Sequence, residues 1–224
     1  MPQLKGLIFD LDGTLLDSAP DLRQALNLTL AAHGRRPLTL EEATRLTGDG
    51  MLPMLSRAFA MTGKPIPDSE SYIRFQEFIT HYRKQKADPS QIYPHVIDSL
   101  KHFKKRGVAM GVCTNKQEAS TIRLLEDLNI QNYFGFVAGG DTFPVHKPHP
   151  DHVRGVMQAL KLSPANCVMV GDGSNDVRAA QGAGIPCILV TQGYGIDVED
   201  LGAEAIIASF AELPTALQKL GFAI

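Results

Sequence analysis

Cysteine is scarce in this sequence, strong charge of either sign is missing, and so is any long apolar run. Cys113, Cys167 and Cys187 are odd in number and each falls inside an apolar, strand-like stretch. That placement excludes a disulfide framework or a zinc site and predicts buried small hydrophobes. Lys and Arg total 22 against 24 Asp and Glu, a net charge of -2, so no broad basic field exists for nucleic acid or an anionic membrane. Any anion must be caught by a local site. No apolar run approaches the ~20 residues that span a bilayer, and Asp10 interrupts the only N-terminal apolar stretch before a signal-peptide core forms. Cytoplasmic residence is the expectation, with neither nucleic acid nor membrane as partner. Internal repeats and low-complexity tracts are lacking too, and 224 residues at 44% hydrophobic allow a sizeable core in one or two domains.

What is present is organised around LKGLIFDLDGTLLDS, residues 4–18. Leu7, Ile8 and Phe9 make the short apolar run of a buried parallel strand, and Asp10 and Asp12 end it abruptly. Alternation along an extended segment sends the two carboxylates one way and Leu11 back toward apolar surroundings. Gly13 and Thr14 turn the chain tightly, and Leu15 and Leu16 pack the turn. Paired acids at a strand end can grip a hard cation, attack an electrophile or move a proton.

The chain then becomes helical. Ser18 stands where a cap belongs, Asp21 lies three residues on, Leu22, Leu26 and Leu30 share a face, and Gly34 stops the helix. Thr39 and Glu42 form a capping-box pair, Gly48-Asp49-Gly50 breaks the pattern, Leu52, Leu55 and Phe59 restart it, and Tyr72, Phe75, Ile79 and Tyr82 repeat at helical spacing. Beyond Tyr93-Pro94 helices alternate with strands near 108–114, 136–138, 168–170 and 187–190. The pattern predicts an α/β class fold: a Rossmann-like parallel sheet core flanked by helices, residues 1–17 with 90–224, and an inserted helical cap domain, residues 18–89. The chain crosses between them near 17–20 and 87–93, where closure over a ligand is expected.

Three further constellations stand at predicted strand ends. Thr114 and Asn115, with Glu118, read as a helix start offering hydroxyl, amide and backbone donors to phosphate oxygens. Lys147 in HKPHP is held stiffly by the flanking prolines. His146, His149 and His152 around it are read as a surface helix start rather than a metal cluster. Asp172 and Asp176, in GDGSND, bring two more carboxylates to the same corner. Like charges ~4 Å apart repel by roughly 4 kcal/mol at an effective dielectric of ~20. A divalent cation resolves the conflict, and all-oxygen ligands favour Mg²⁺, with Asp10 and Asp172 as side-chain ligands, Asp12 through its backbone carbonyl, and Asp176 through water or by orienting the loop.

DLDGTLLDS, Thr114, the Lys147-Pro148 pair and GDGSND, in this order, resemble the four signatures of the haloacid dehalogenase superfamily. GGDTFPVHKPHP, GDGSNDVRAAQGAGI and the late QGYG resemble its bacterial phosphoglycolate phosphatases; LTGDGMLPM departs from them where an Asn is common in the glycine loop, and Gly173 stands where Ser is frequent. The resemblance implies Asp10 as nucleophile toward a small-molecule phosphate ester, Asp12 as general acid/base, Thr114 and Lys147 as phosphate partners, and Mg²⁺ as cofactor. It implies 2-phosphoglycolate as substrate, with another small phosphate ester, a sugar phosphate, or a β-phosphoglucomutase-like transfer as alternatives. The second anion of phosphoglycolate would be read by Arg45, Gly48 and Gly50 of the cap.

Overall fold

Strand-forming runs that are apolar on both faces must be covered on both faces, and the chain meets this with three layers. In the computed structural model, which describes residues 2–224 (Ser90 by its backbone alone), β1 (Gly6–Phe9), β2 (Ala109–Cys113), β3 (Phe136–Ala138), β4 (Cys167–Gly171), β5 (Cys187–Val190) and β6 (Ala205–Ile207) form one parallel sheet. Their order is β3-β2-β1-β4-β5-β6, so the direction of winding reverses beside β1. Such a switch point opens a crevice at the carboxyl edge of the sheet. Met1, the first residue of the expected core, lies outside the described residues.

Alternation along the strands feeds two cores. Leu7, Phe9, Val112, Val170 and Val190 face α5 (Val96–Lys105), α6 (Glu118–Asp127) and α9 (Leu213–Lys219). Ile8, Met169, Leu189 and all three cysteines face α7 (Pro150–Ala159) and α8 (Ser174–Ala183). The cysteines are free and buried, as their apolar flanks predict. β6 and α9 escape the sequence reading because Ala205–Ile207 is too short to show a period.

Between β1 and β2 run α1 (Ala19–Ala32), α2 (Leu40–Arg45), α3 (Met51–Thr62) and α4 (Asp68–Arg83). Leu22, Leu26, Leu30, Leu55, Phe59, Phe75, Phe78 and Ile79 bury against one another as a third cluster, separate from the two beside the sheet. The Thr39–Glu42 capping box forms at the start of α2. Ser18 does not cap α1: its side chain makes no capping bond there and donates to the Asp12 carboxylate. The Ser18 backbone is already helical, at φ -95 and ψ -3, rather than in the extended conformation from which a capping side chain reaches the helix N–H groups.

Candidate active site

Register places the acids. Phe9 pairs with Val112 on one side and Val170 on the other, so Asp10, Thr114 and Asp172 emerge at neighbouring levels of one edge. The Asp10 N–H donates to the Val170 carbonyl at 2.9 Å, carrying the ladder one residue past the strand. Gly13 turns at φ +85, and a Cβ there would overlap the Asp172 carboxylate, so glycine is what lets β1's turn and β4's end touch.

Carboxylate oxygens of Asp10, Asp172 and Asp176 lie within 4.8 Å of one another. Lys147, buried to 1%, reaches Asp10 Oδ1 at 2.8 Å and Asp176 Oδ1 at 2.7 Å. Thr14 Oγ1 and the Tyr194 N–H donate to the two oxygens of Asp172, at 3.1 and 2.7 Å. Asp176 Oδ2 accepts from the N–H groups of Asp172 and Gly173, both at 3.1 Å, so it braces the β4 turn while sharing Lys147. Asp12 stands outside this cluster but beside Asp10 on a smaller cavity, with Lys116 Nζ 2.8 and 2.9 Å from its two oxygens.

The expectation of four uncompensated acids in one corner is therefore corrected. Asp12 is neutralised by Lys116, and Lys147 serves Asp10 and Asp176 together, leaving two negative charges unbalanced in the buried cluster. Burial, reinforced by Asp176 and opposed by Lys147, pushes the Asp10 carboxyl up to about 6. Burial and the charges of Asp176 and Asp10 hold Asp172 well above the usual carboxylate range. Burial alone would pull the Lys147 ammonium down, but Asp10 and Asp176 outweigh it and the group is held above its ordinary value. Asp10 Oδ1 is buried against the Lys147 ammonium. Three clustered carboxylates and a deficit of two positive charges fit a divalent cation.

Thr114 is buried, and its Oγ1 accepts from the Lys116 N–H at 3.2 Å. Asn115 does not open a helix; α6 begins at Glu118 with Gln117 at the cap position. Its amide instead bridges the carbonyls of Lys147, at 2.9 Å, and Gly48, at 3.0 Å, tying the α2–α3 loop to the sheet edge. Asn175 adds a second tie to Asp49, at 2.8 Å. His152 is not at a surface: it is fully buried, accepts from the Lys147 N–H at Nδ1 and reaches the Gly139 carbonyl with Nε2. Burial and the Lys147 charge bring it down to about 4, so it orients the lysine segment as a neutral ring.

A cavity of about 250 Å³ opens over Asp10, Asp172 and Lys147, with Arg45, Gly48 and Asp49 on its far wall. Arg45 is exposed and paired with Glu41 at 2.6 Å, and the Gly48 carbonyl, rather than its N–H, faces the asparagines. A smaller space of about 20 Å³ lies over Asp10, Asp12, Thr114 and Lys116, under Met51 and Met54.

Lys116 and Tyr194 escape a reading of the sequence. Tyr194 contacts Asp172 through its N–H and Asp17 through its hydroxyl, at 2.8 Å. The one signal for Lys116 is its position two residues past Thr114, at the acid-bearing edge.

Fold and site together define a doubly wound parallel-sheet hydrolase whose acidic centre lies at the switch point. The chain belongs to the haloacid dehalogenase-like hydrolase family, whose model matches residues 7–190. It is 40% identical to a phosphoglycolate phosphatase of Agrobacterium fabrum, over 94% of this chain and 91% of that protein. A phosphoglycolate phosphatase of Caulobacter vibrioides is 38% identical over 94% and 89%. A crystal structure from Haemophilus somnus 129PT, named a predicted phosphoglycolate phosphatase, superposes with a TM-score of 0.90 at 28% identity, over 96% of this chain and 98% of that one.

Proposed function

We propose that the chain is a Mg²⁺-dependent phosphomonoester hydrolase that cleaves 2-phosphoglycolate in the cytoplasm, with residues 18–89 as a cap over a core of residues 1–17 and 90–224. The observation that carries the reading is the cluster of Asp10, Asp172 and Asp176 around Lys147, beside a cavity of about 250 Å³ walled by the α2–α3 loop. The names of the relatives support the substrate, and three buried free thiols support a reducing compartment.

In this mechanism an Asp10 oxygen forms a bond to phosphorus as the ester P–O bond breaks. The electron pair stays on the leaving oxygen, which takes a proton from Asp12. Water then attacks the aspartyl phosphate, gives a proton back to Asp12, and the Asp10–phosphorus bond breaks to release phosphate. Asp10 and Asp172, with the Asp12 carbonyl, would hold Mg²⁺, and Asp176 would brace them. Bound there, the cation supplies positive charge to the transferring phosphoryl oxygens. Lys147 adds its ammonium, and Thr114 with Asn115 lines the phosphate side. Arg45, Gly48 and Gly50 stand where the carboxylate end of the substrate would point, Arg45 after leaving Glu41.

Comparing kcat/KM for 2-phosphoglycolate with that for hexose phosphates and nucleotides tests the substrate, and Asp10→Asn tests the nucleophile. Preference for phosphoglycolate and loss of turnover in Asp10→Asn are expected. A hexose phosphate cleaved more efficiently overturns the substrate; full turnover by Asp10→Asn overturns the mechanism.

A further inference from the structure

Lys116 is among the most deeply buried charges of the molecule, its side chain wholly withdrawn from solvent. Taking an ammonium out of water costs several kcal/mol unless a matched anion and good geometry offset it. Both are present. Nζ lies 2.8 and 2.9 Å from the two oxygens of Asp12, a contact spanning 104 residues of chain, and its outer side is covered by the Tyr82 ring of α4, 5.0 Å to the centroid. The Ser18 hydroxyl donates to Asp12 Oδ1 as well. Lys116 is itself held: its N–H donates to Thr114 Oγ1, and its carbonyl accepts from the Gly140 N–H at 2.8 Å. A long, flexible side chain is thus fixed at its root, along its length and at its tip. The group it grips borders the small cavity shared by Asp10 and Thr114.

We propose that Lys116 is a positioning residue for proton transfer, holding the Asp12 carboxyl group at one angle toward the leaving oxygen over Asp10. The inference rests on the acid/base reading of Asp12 given above. In the step it serves, the ester P–O bond breaks with its electron pair on oxygen and the Asp12 proton moves to that oxygen, leaving the Asp12 carboxylate between Lys116 and Ser18. An alkoxide leaving group needs that proton; p-nitrophenolate departs without it. A misplaced Asp12 therefore harms formation of the aspartyl phosphate from alkyl esters selectively, which kcat/KM reads. Its effect on the later attack by water is common to both esters and falls in kcat; a loosened fold lowers kcat/KM for both.

The test measures kcat and KM for 2-phosphoglycolate and for p-nitrophenyl phosphate, at saturating Mg²⁺, in wild type, Lys116→Met, Lys116→Arg and Asp12→Asn. Lys116→Met should lower kcat/KM for the alkyl ester by about 10²-fold, at the lower end of what general acid catalysis contributes. Its kcat/KM for p-nitrophenyl phosphate should fall less than about tenfold, and Lys116→Arg should recover most of the alkyl-ester kcat/KM, since its fork keeps the charge and can offer an N–H to each Asp12 oxygen. If Lys116→Met does not fold, Lys116→Gln, which retains a donor, is read by the same ratio of the two esters. Equal losses of kcat/KM on both esters, or no loss, overturn the assignment. Alkyl-ester turnover that survives Asp12→Asn overturns instead the acid/base reading beneath it; Asp12 dependence with indifference to Lys116 overturns the positioning role alone.

Discussion

Replacing Lys147 by methionine keeps the side chain as far as Cε and removes the ammonium that Asp10 and Asp176 share. The structure sets the size of the effect. Oxygens of those carboxylates and of Asp172 lie within 4.8 Å of one another, so each pair repels by about 3.5 kcal/mol at an effective dielectric of ~20. Losing the desolvation cost of the ammonium gives part of this back. Breaking a buried pair by removing one partner typically costs ~3–5 kcal/mol, and the metal-free variant should lose that much at pH 7. With a urea m-value of ~2–3 kcal/mol/M, the unfolding midpoint should drop by roughly 1–2 M in EDTA. A divalent cation replaces the missing charge, so added Mg²⁺ should stabilise Lys147→Met more than wild type. Circular dichroism through a urea series, with EDTA or with excess Mg²⁺, measures both. A loss below about 1 kcal/mol in EDTA, or an identical response of the two proteins to Mg²⁺, refutes the charge balance described here.

Two further outcomes concern the loop and the histidine. Gly50 sits at φ +98 with the Asn115 carbonyl 3.1 Å from where a Cβ would stand, so Gly50→Val strains the loop by ~1–3 kcal/mol. KM for 2-phosphoglycolate should rise about tenfold and KM for p-nitrophenyl phosphate much less; steady-state kinetics with equal changes would count against a substrate contact there. His152 is brought from 6.5 to about 4 by burial and by Lys147, so between those values the unfolded chain holds a proton the folded chain lacks. Stability from this group is fully present above pH 6.5 and is lost as pH falls toward 4, by about 2 kcal/mol between pH 7 and pH 5. Urea midpoints of wild type and His152→Gln at those two pH values, with Mg²⁺ present, should converge on acidification; parallel curves would refute the shift.

The residues show which features a sequence can reveal. Leu7 to Phe9 read as a buried strand because both faces are apolar, and the observed β1 spans Gly6–Phe9. Thr39 and Glu42 announced the start of α2 because a capping box lies within four consecutive residues. Asn115 misled for a related reason: its side chain can cap a helix, but it found better acceptors at Gly48 and Lys147. His152 has polar neighbours in the chain and so reads as surface, while in space it is buried beneath the Lys147 segment.

Periodicity, turn chemistry and capping are interactions among near neighbours, so the sequence by itself determined the strand–helix alternation, the helical insertion and the strand-end positions of Asp10, Thr114 and Asp172. Charge balance is different. Lys147 meets Asp176 across 29 residues and Lys116 meets Asp12 across 104, and whether such groups attract strongly or weakly depends on separation and burial. Only tertiary structure decided which acids are neutralised, that Asp10 and Asp176 share one lysine, and that Asp12 rests on another, because Coulomb energies follow distance through space and depth from water rather than order along the chain.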